Sequence, residues 1–147
     1  MKKPSGRSLA YLAAGLVVAL ILAQLIPVNR SNPPIGAELE APAAVLEVLR
    51  RSCYDCHSNE TTWPWYSRVA PVSWLVARDV SEGREAVNYS VWGSYPAGEL
   101  AELLEETWEE VAEGEMPPAM YVWLHSEARL TTADREILRS WAADGDR

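Results

Sequence analysis

The residues of this chain whose types and spacing could do chemistry together stand as Cys53-Tyr54-Asp55-Cys56-His57. A Cys-x-x-Cys pair closed by histidine is the spacing that attaches c-type haem. The two thiols add across the porphyrin vinyl groups as thioethers, and the adjacent imidazole is placed to bind the iron as proximal ligand. Cys53 and Cys56 are the only cysteines, so the motif takes the whole supply. Other chemistries of such a pair fit less well. A thioredoxin-like redox pair calls for a helix start inside a strand-helix-strand pattern, and no strand-rich stretch flanks this one. A structural zinc site needs four ligands, and after these three only His125 remains as a nitrogen or sulfur donor of the usual kind. A disulfide here would close so small a loop that it would stabilise little.

A sixth iron ligand is sought next. Met116 is the natural candidate, because Glu115-Met116-Pro117-Pro118 puts a thioether on a stiff loop without competing backbone donors. Met/His ligation raises the reduction potential and fills both axial positions, which suits electron transfer. Met120 is a local competitor, His125 is the alternative from another residue type, and an open or water-bound position is the third possibility. Trp63, Trp65 and Tyr66, in the turn-rich loop after His57, are expected to wrap the haem edge or to fill a small core.

The elements that must position these residues begin with an anchor. Residues 1–8 carry Lys2, Lys3 and Arg7 and no acid, and residues 9–26 carry no charge. A helix of that length rises about 27 Å, close to the roughly 30 Å hydrocarbon core. Basic residues ahead of the span keep the N-terminus in the cytoplasm and send the rest outward. A cleaved signal has the same polarity, but Gln24-Leu25-Ile26-Pro27 is a poor cleavage site, so an uncleaved anchor is preferred. Residues 27–42, rich in Pro, Asn and Ser, read as a fairly extended linker that holds the domain off the bilayer. The domain proper is assigned to 43–147, outside the cytoplasmic membrane.

Within it, Pro42 suits a first helical turn, and Val45, Leu46, Val48 and Leu49 supply a buried stripe running straight into the Cys53–His57 motif. A second helix is expected from Pro71 to about Val87, with Val72, Leu75, Val76 and Val80 on one face. Gly83 lies late in it, where a missing side chain permits close approach of haem or another helix. Residues 88–96 read as irregular, with Trp92 as a core anchor. The third helix, 97–113, has Leu100, Leu103, Leu104, Trp108 and Val111 at the helical period, and Gly114 ends it. Its other face is filled by Glu99, Glu102, Glu105, Glu106, Glu109, Glu110 and Glu113, either simply solvated or a dock for a basic redox partner. Thr131 and Asp134 have capping-box spacing before a last helix with Ile137, Leu138 and Trp141 inward. The fold class is all-α.

Charge restricts the partners. The net charge is −8, and removing the three cations of the N-terminal tail leaves −11. An acidic domain of this kind is a poor ligand for nucleic acid. Two histidines, one of them spent on iron, leave no Ser/His/Asp set to assemble.

The chain resembles the bacterial haem-binding domain proteins, which are cytochrome c-like and often membrane-anchored. The likeness is carried by Cys53-Tyr54-Asp55-Cys56-His57-Ser58-Asn59, Trp63-Pro64-Trp65-Tyr66 and Ala70-Pro71-Val72-Ser73-Trp74-Leu75. It continues through Gly83-Arg84, Asn88-Tyr89-Ser90, Trp92, Met116-Pro117-Pro118, Tyr121, His125, Ala128-Arg129-Leu130 and Trp141. The resemblance implies covalent haem c in a cytochrome-c-like helical domain, and supplies no activity by itself. Members often have a histidine near the place of Arg78-Asp79, and none stands here. Arg84 is a candidate partner for a haem propionate, with an ion pair to Glu85 or Asp79 as the alternative. His125 is a candidate to hydrogen-bond a propionate or to support the Met116 loop.

The function these readings compose is an electron carrier rather than an enzyme: one covalent haem, single-electron transfer, the outer face of the bacterial cytoplasmic membrane. Two other readings stand beside it. One is an enzyme or sensor that binds peroxide or a diatomic gas at an open distal side, with His125 as its acid–base group. The other is a haem-stabilised interaction module.

Overall fold

Helical periodicity without strand alternation produces the expected architecture. The computed structural model describes residues 6–145, all of it helix, 3-10 turn or loop, with no strand among the described residues. Lys2 and Lys3 of the basic tail lie outside the described residues. The helices are α1 (Gly6–Ala23), α2 (Ala43–Ser52), α3 (Tyr54–His57), α4 (Val72–Ala86), α5 (Ala97–Glu113), α6 (Ala119–Leu124) and α7 (Thr132–Gly145). Short 3-10 turns occupy Trp65–Arg68, Tyr89–Ser94 and Ser126–Ala128.

The described chain divides into two units. The first takes the chain up to Ser31 together with Trp63–Asp79, and the second takes Asn32–Thr62 and the chain from Val80 onward. In the first unit α1 is apolar and long enough to cross a membrane, with none of its residues buried in protein. The helix ends at Ala23, three residues before the expected span 9–26 does, and Gln24 to Ile26 close it as a turn.

In the second unit α2, α5 and α7 pack around one core. Val45, Val48 and Leu49 of α2, Val111 of α5 and Leu138 of α7 are buried together with Tyr54, Val87 and Tyr89. Leu103, Trp108, Ile137 and Trp141 pack against them, so the stripes of the first, third and last domain helices face inward as their periods require. Arg51 joins two of these helices: it donates to the carbonyls of Glu127 (2.6 Å) and Arg129 (3.3 Å) and pairs with Asp134 at 2.9 Å.

Two differences from expectation concern the segments outside those helices. The stretch before α2 is irregular, as its prolines dictate, yet it is bound to the domain rather than free. Gly36 N–H donates to Ser90 O, Leu39 N–H to Tyr89 O, and Gly93 N–H to Ala37 O, all at 2.8–2.9 Å, and Leu39 enters the core. The core therefore starts before residue 43. In α4 the stripe of Val72, Leu75, Val76 and Val80 is only half covered: Val80 is buried, while Val72 and Leu75 are exposed. The six-residue α6 carries too short an apolar run to announce itself by period.

Candidate functional site

The site is built from the end of α2. Cys53 closes α2 and opens α3, with the N–H groups of Cys56 (3.1 Å) and His57 (2.9 Å) bonded to Cys53 O. One helical turn thus separates the two thiols, both of them partly buried. Packing around Cys53, with Cys56 beside it, pushes its thiol up to about 12. Among the described residues no three His, Cys, Asp or Glu side chains converge as a metal-holding group.

α4 sets the back wall. A Cβ on Gly83 would sit 2.8 Å from Cys56 O and 3.0 Å from Cys56 Cβ, so the close approach that glycine permits is to the motif itself. One turn on, Val87 O lies 3.2 Å from His57 Nδ1. A carbonyl oxygen only accepts, so this bond requires the proton on Nδ1 and leaves the Nε2 lone pair available. Burial holds the imidazole below its ordinary pKa, against smaller opposing contributions from the Val87 and Gly83 backbone. His57 is therefore neutral, which is the ligating form, and its orientation is fixed from behind, as in histidines that bind metals.

In front lies a cavity of about 460 Å3 bordered by Cys53, His57, Val87, Tyr89, Leu103, Val111 and Met116, with Glu106, Glu109 and Glu110 also on its wall. That size is within the range of about 300–1,000 Å3 usual for cofactor sites. The walls are mostly apolar, and the cavity has a nitrogen donor and a thioether on its border. Met116 is delivered by the end of α5. Gly114 adopts the left-handed conformation (φ 84°), and the N–H groups of Glu115 and Met116 both bond Glu110 O at 3.0 and 3.1 Å. The donors and apolar walls on this border suit a haem.

The other residues singled out in the sequence are placed as follows. Arg84 donates to Ser58 O (2.7 Å), Thr61 Oγ1 (2.8 Å) and Asn32 Oδ1 (3.0 Å), clamping the loop that follows His57. Burial lowers its pKa. His125 stacks on Tyr121 (centroids 4.4 Å apart) and pairs with Glu127 at 3.4 Å; it does not border the cavity. Tyr121 in turn donates to Asp55 Oδ2 at 2.8 Å, so His125 bears on the motif through that tyrosine. Trp63, Trp65 and Tyr66 belong to the first unit, and the cavity is formed by the second unit's own residues.

Sequence reasoning missed several contributors. Tyr89 borders the cavity, lies 6.3 Å from the His57 ring and stacks on Tyr54 at 5.5 Å. Asn59, Asn88 and Ser90 form a buried polar lock, next to Ser58, whose Oγ donates to Tyr54 O at 2.7 Å. Asn59 N–H donates to Ser90 Oγ, Asn88 Nδ2 to Asn59 Oδ1, and Asn59 Nδ2 to Pro34 O, each at 2.9 Å. Such groups are tolerated in a core only when saturated in this way. Ser-Asn directly after the motif and Asn-x-Ser thirty residues later were the available signal. For Val87 there was none, because its contribution is a backbone carbonyl.

Among known proteins, the family model described as a haem-binding domain matches residues 18–144. No curated protein and no solved structure matches the chain.

Proposed function

Because the chain belongs to the haem-binding domain family and is a haem-binding protein, we propose that it is a c-type cytochrome domain that carries single electrons at the outer face of the bacterial cytoplasmic membrane. Haem supplies the chemistry, a reversible one-electron change at iron. Everything else falls to this chain. Cys53 and Cys56 would anchor the porphyrin as thioethers. His57 would bind through Nε2, with Val87 O holding the proton on Nδ1. Met116 would supply the second donor from the same cavity border, where Tyr89, Leu103 and Val111 contribute apolar wall. The observation that carries this reading is the conjunction of the Nδ1–Val87 bond with a cavity that Cys53, His57 and Met116 share.

Address and partner complete it. Lys2 and Lys3 ahead of α1 and Arg7 in its first turn favour a cytoplasmic N-terminus, so the haem domain lies on the extracytoplasmic side, held by an uncleaved α1. A basic redox partner docks on α5, three of whose acids reach the wall of the haem cavity.

The test is an absorption spectrum of protein made in a host with c-type haem maturation, reduced, with and without carbon monoxide. Haem that survives denaturing extraction and ignores carbon monoxide supports the electron carrier, and Met116→Ala should then open the site to the gas. Haem that washes out removes the thioether assignment. Wild-type protein that binds carbon monoxide readily moves the function to a peroxide or gas-binding haem protein.

A further inference from the structure

The first unit carries an apolar face that haem binding does not explain. Trp65, Val69, Val72, Trp74 and Leu75 are exposed, Trp65 to 78% and Leu75 to 50%. They are tied to the end of α1. Gln24 Nε2 donates to Leu20 O (2.9 Å) and Ala70 O (3.3 Å), and Gln24 Oε1 accepts from Ala70 N–H at 3.0 Å. Six residues on, Arg30 donates to Ser67 O at 3.3 Å. Gln24 comes at the outer end of the apolar run, where hydrocarbon gives way to headgroups, and an amide there is costly unless its bonds are made. Its pairing with Ala70 sets the exposed side chains at that same depth.

Tryptophan and aliphatic side chains at headgroup level are what the membrane interface selects. Charge agrees. Residues 24–31 and 63–79 hold Arg30, Arg68 and Arg78 against Asp79 alone, a positive excess in a chain of net charge −8. Arg30 and Arg68 also line a small polar cavity of about 110 Å3 beside Gln24, placed for lipid phosphates.

We infer that the Trp65–Leu75 face lies in the outer interface of the bilayer that α1 crosses, so that the first unit is a two-point anchor: a spanning helix and an interfacial wedge. The inference rests on the reading of α1 as an uncleaved span.

The test uses the full, haem-loaded chain in vesicles of phosphatidylglycerol and phosphatidylethanolamine. A bilayer-partitioned diazirine is photolysed, and the labelled residues are mapped by mass spectrometry. Label is expected in α1 and in residues 65–75, and not at Trp123, an equally exposed tryptophan (77%) of the second unit. Trp65→Ser with Leu75→Ser, both at exposed positions, should lose the label from that segment and keep it in α1. A labelled α1 with a blank 65–75 overturns the interfacial wedge and leaves the anchor standing. Label at Trp123 equal to that at Trp65 also overturns it, since exposure alone would then explain the result. A blank α1 removes the anchor and this inference together.

Discussion

His57 shows how little a side chain decides by itself. Its imidazole is neutral because it is buried, and it offers Nε2 because a carbonyl thirty positions away occupies Nδ1–H. The glycine that lets that carbonyl come close is Gly83. Gly83→Ala forces a methyl into the Cys56 carbonyl, where backbone cannot yield as a flexible side chain would. It should cost about 1–3 kcal/mol, read as a lowered denaturation midpoint, with haem incorporation falling alongside. Arg84 makes a contrasting case. Its bonds run to the loop after the motif, so Arg84→Gln should loosen residues 58–61 and raise their amide exchange while the bound haem keeps its axial spectrum.

At the scale of elements, one helix end borders the site and another caps the fold. The end of α5 positions Met116 through Gly114, whose φ of 84° an L side chain resists. Gly114→Ala should cost about 1 kcal/mol and, on the proposed Met116 ligation, open the haem to carbon monoxide. The start of α7 is a reciprocal cap. Thr131 N–H and O–H both donate to Asp134 Oδ2 at 2.8 Å, and Asp134 N–H returns to Thr131 Oγ1 at 3.2 Å. Burial alone would raise the Asp134 pKa, but these bonds and the Arg51 guanidinium outweigh it and hold the carboxyl below its ordinary value of 3.8. A carboxyl lowered on folding stabilises fully above its unfolded pKa and loses that contribution as pH falls through the folded one. Asp134→Ala should therefore cost about 1 kcal/mol at neutral pH and flatten the acid limb of stability against pH.

At the scale of the whole molecule, charge is divided along the chain. All the lysines stand in the N-terminal tail, and the chain beyond that tail carries −11. Electron exchange with a basic partner should slow about tenfold between about 10 mM and 0.15 M salt, as screening shortens the range of attraction. Glu102→Gln, Glu106→Gln and Glu109→Gln together should flatten that dependence in stopped-flow measurements while leaving the haem spectrum unchanged. Rates insensitive to both salt and these substitutions would place docking elsewhere.

What could be read before folding was whatever neighbours in the chain decide. The Cys53–His57 spacing, the apolar run of α1, the period of α5 to its stop at Gly114, and the Thr131–Asp134 cap are all set within a few residues of one another. The rest required the chain to close on itself. Val87 O behind His57, Gly83 against Cys56, Met116 bordering the same cavity, Leu39 in the core and the uncovered half of α4 join residues far apart in sequence. Close approach of distant backbone leaves no periodic mark in the chain, and a carbonyl has no residue identity to read. Only the tertiary structure could say which carbonyl backs His57, which glycine Cys56 packs against and which part of α4 stays uncovered.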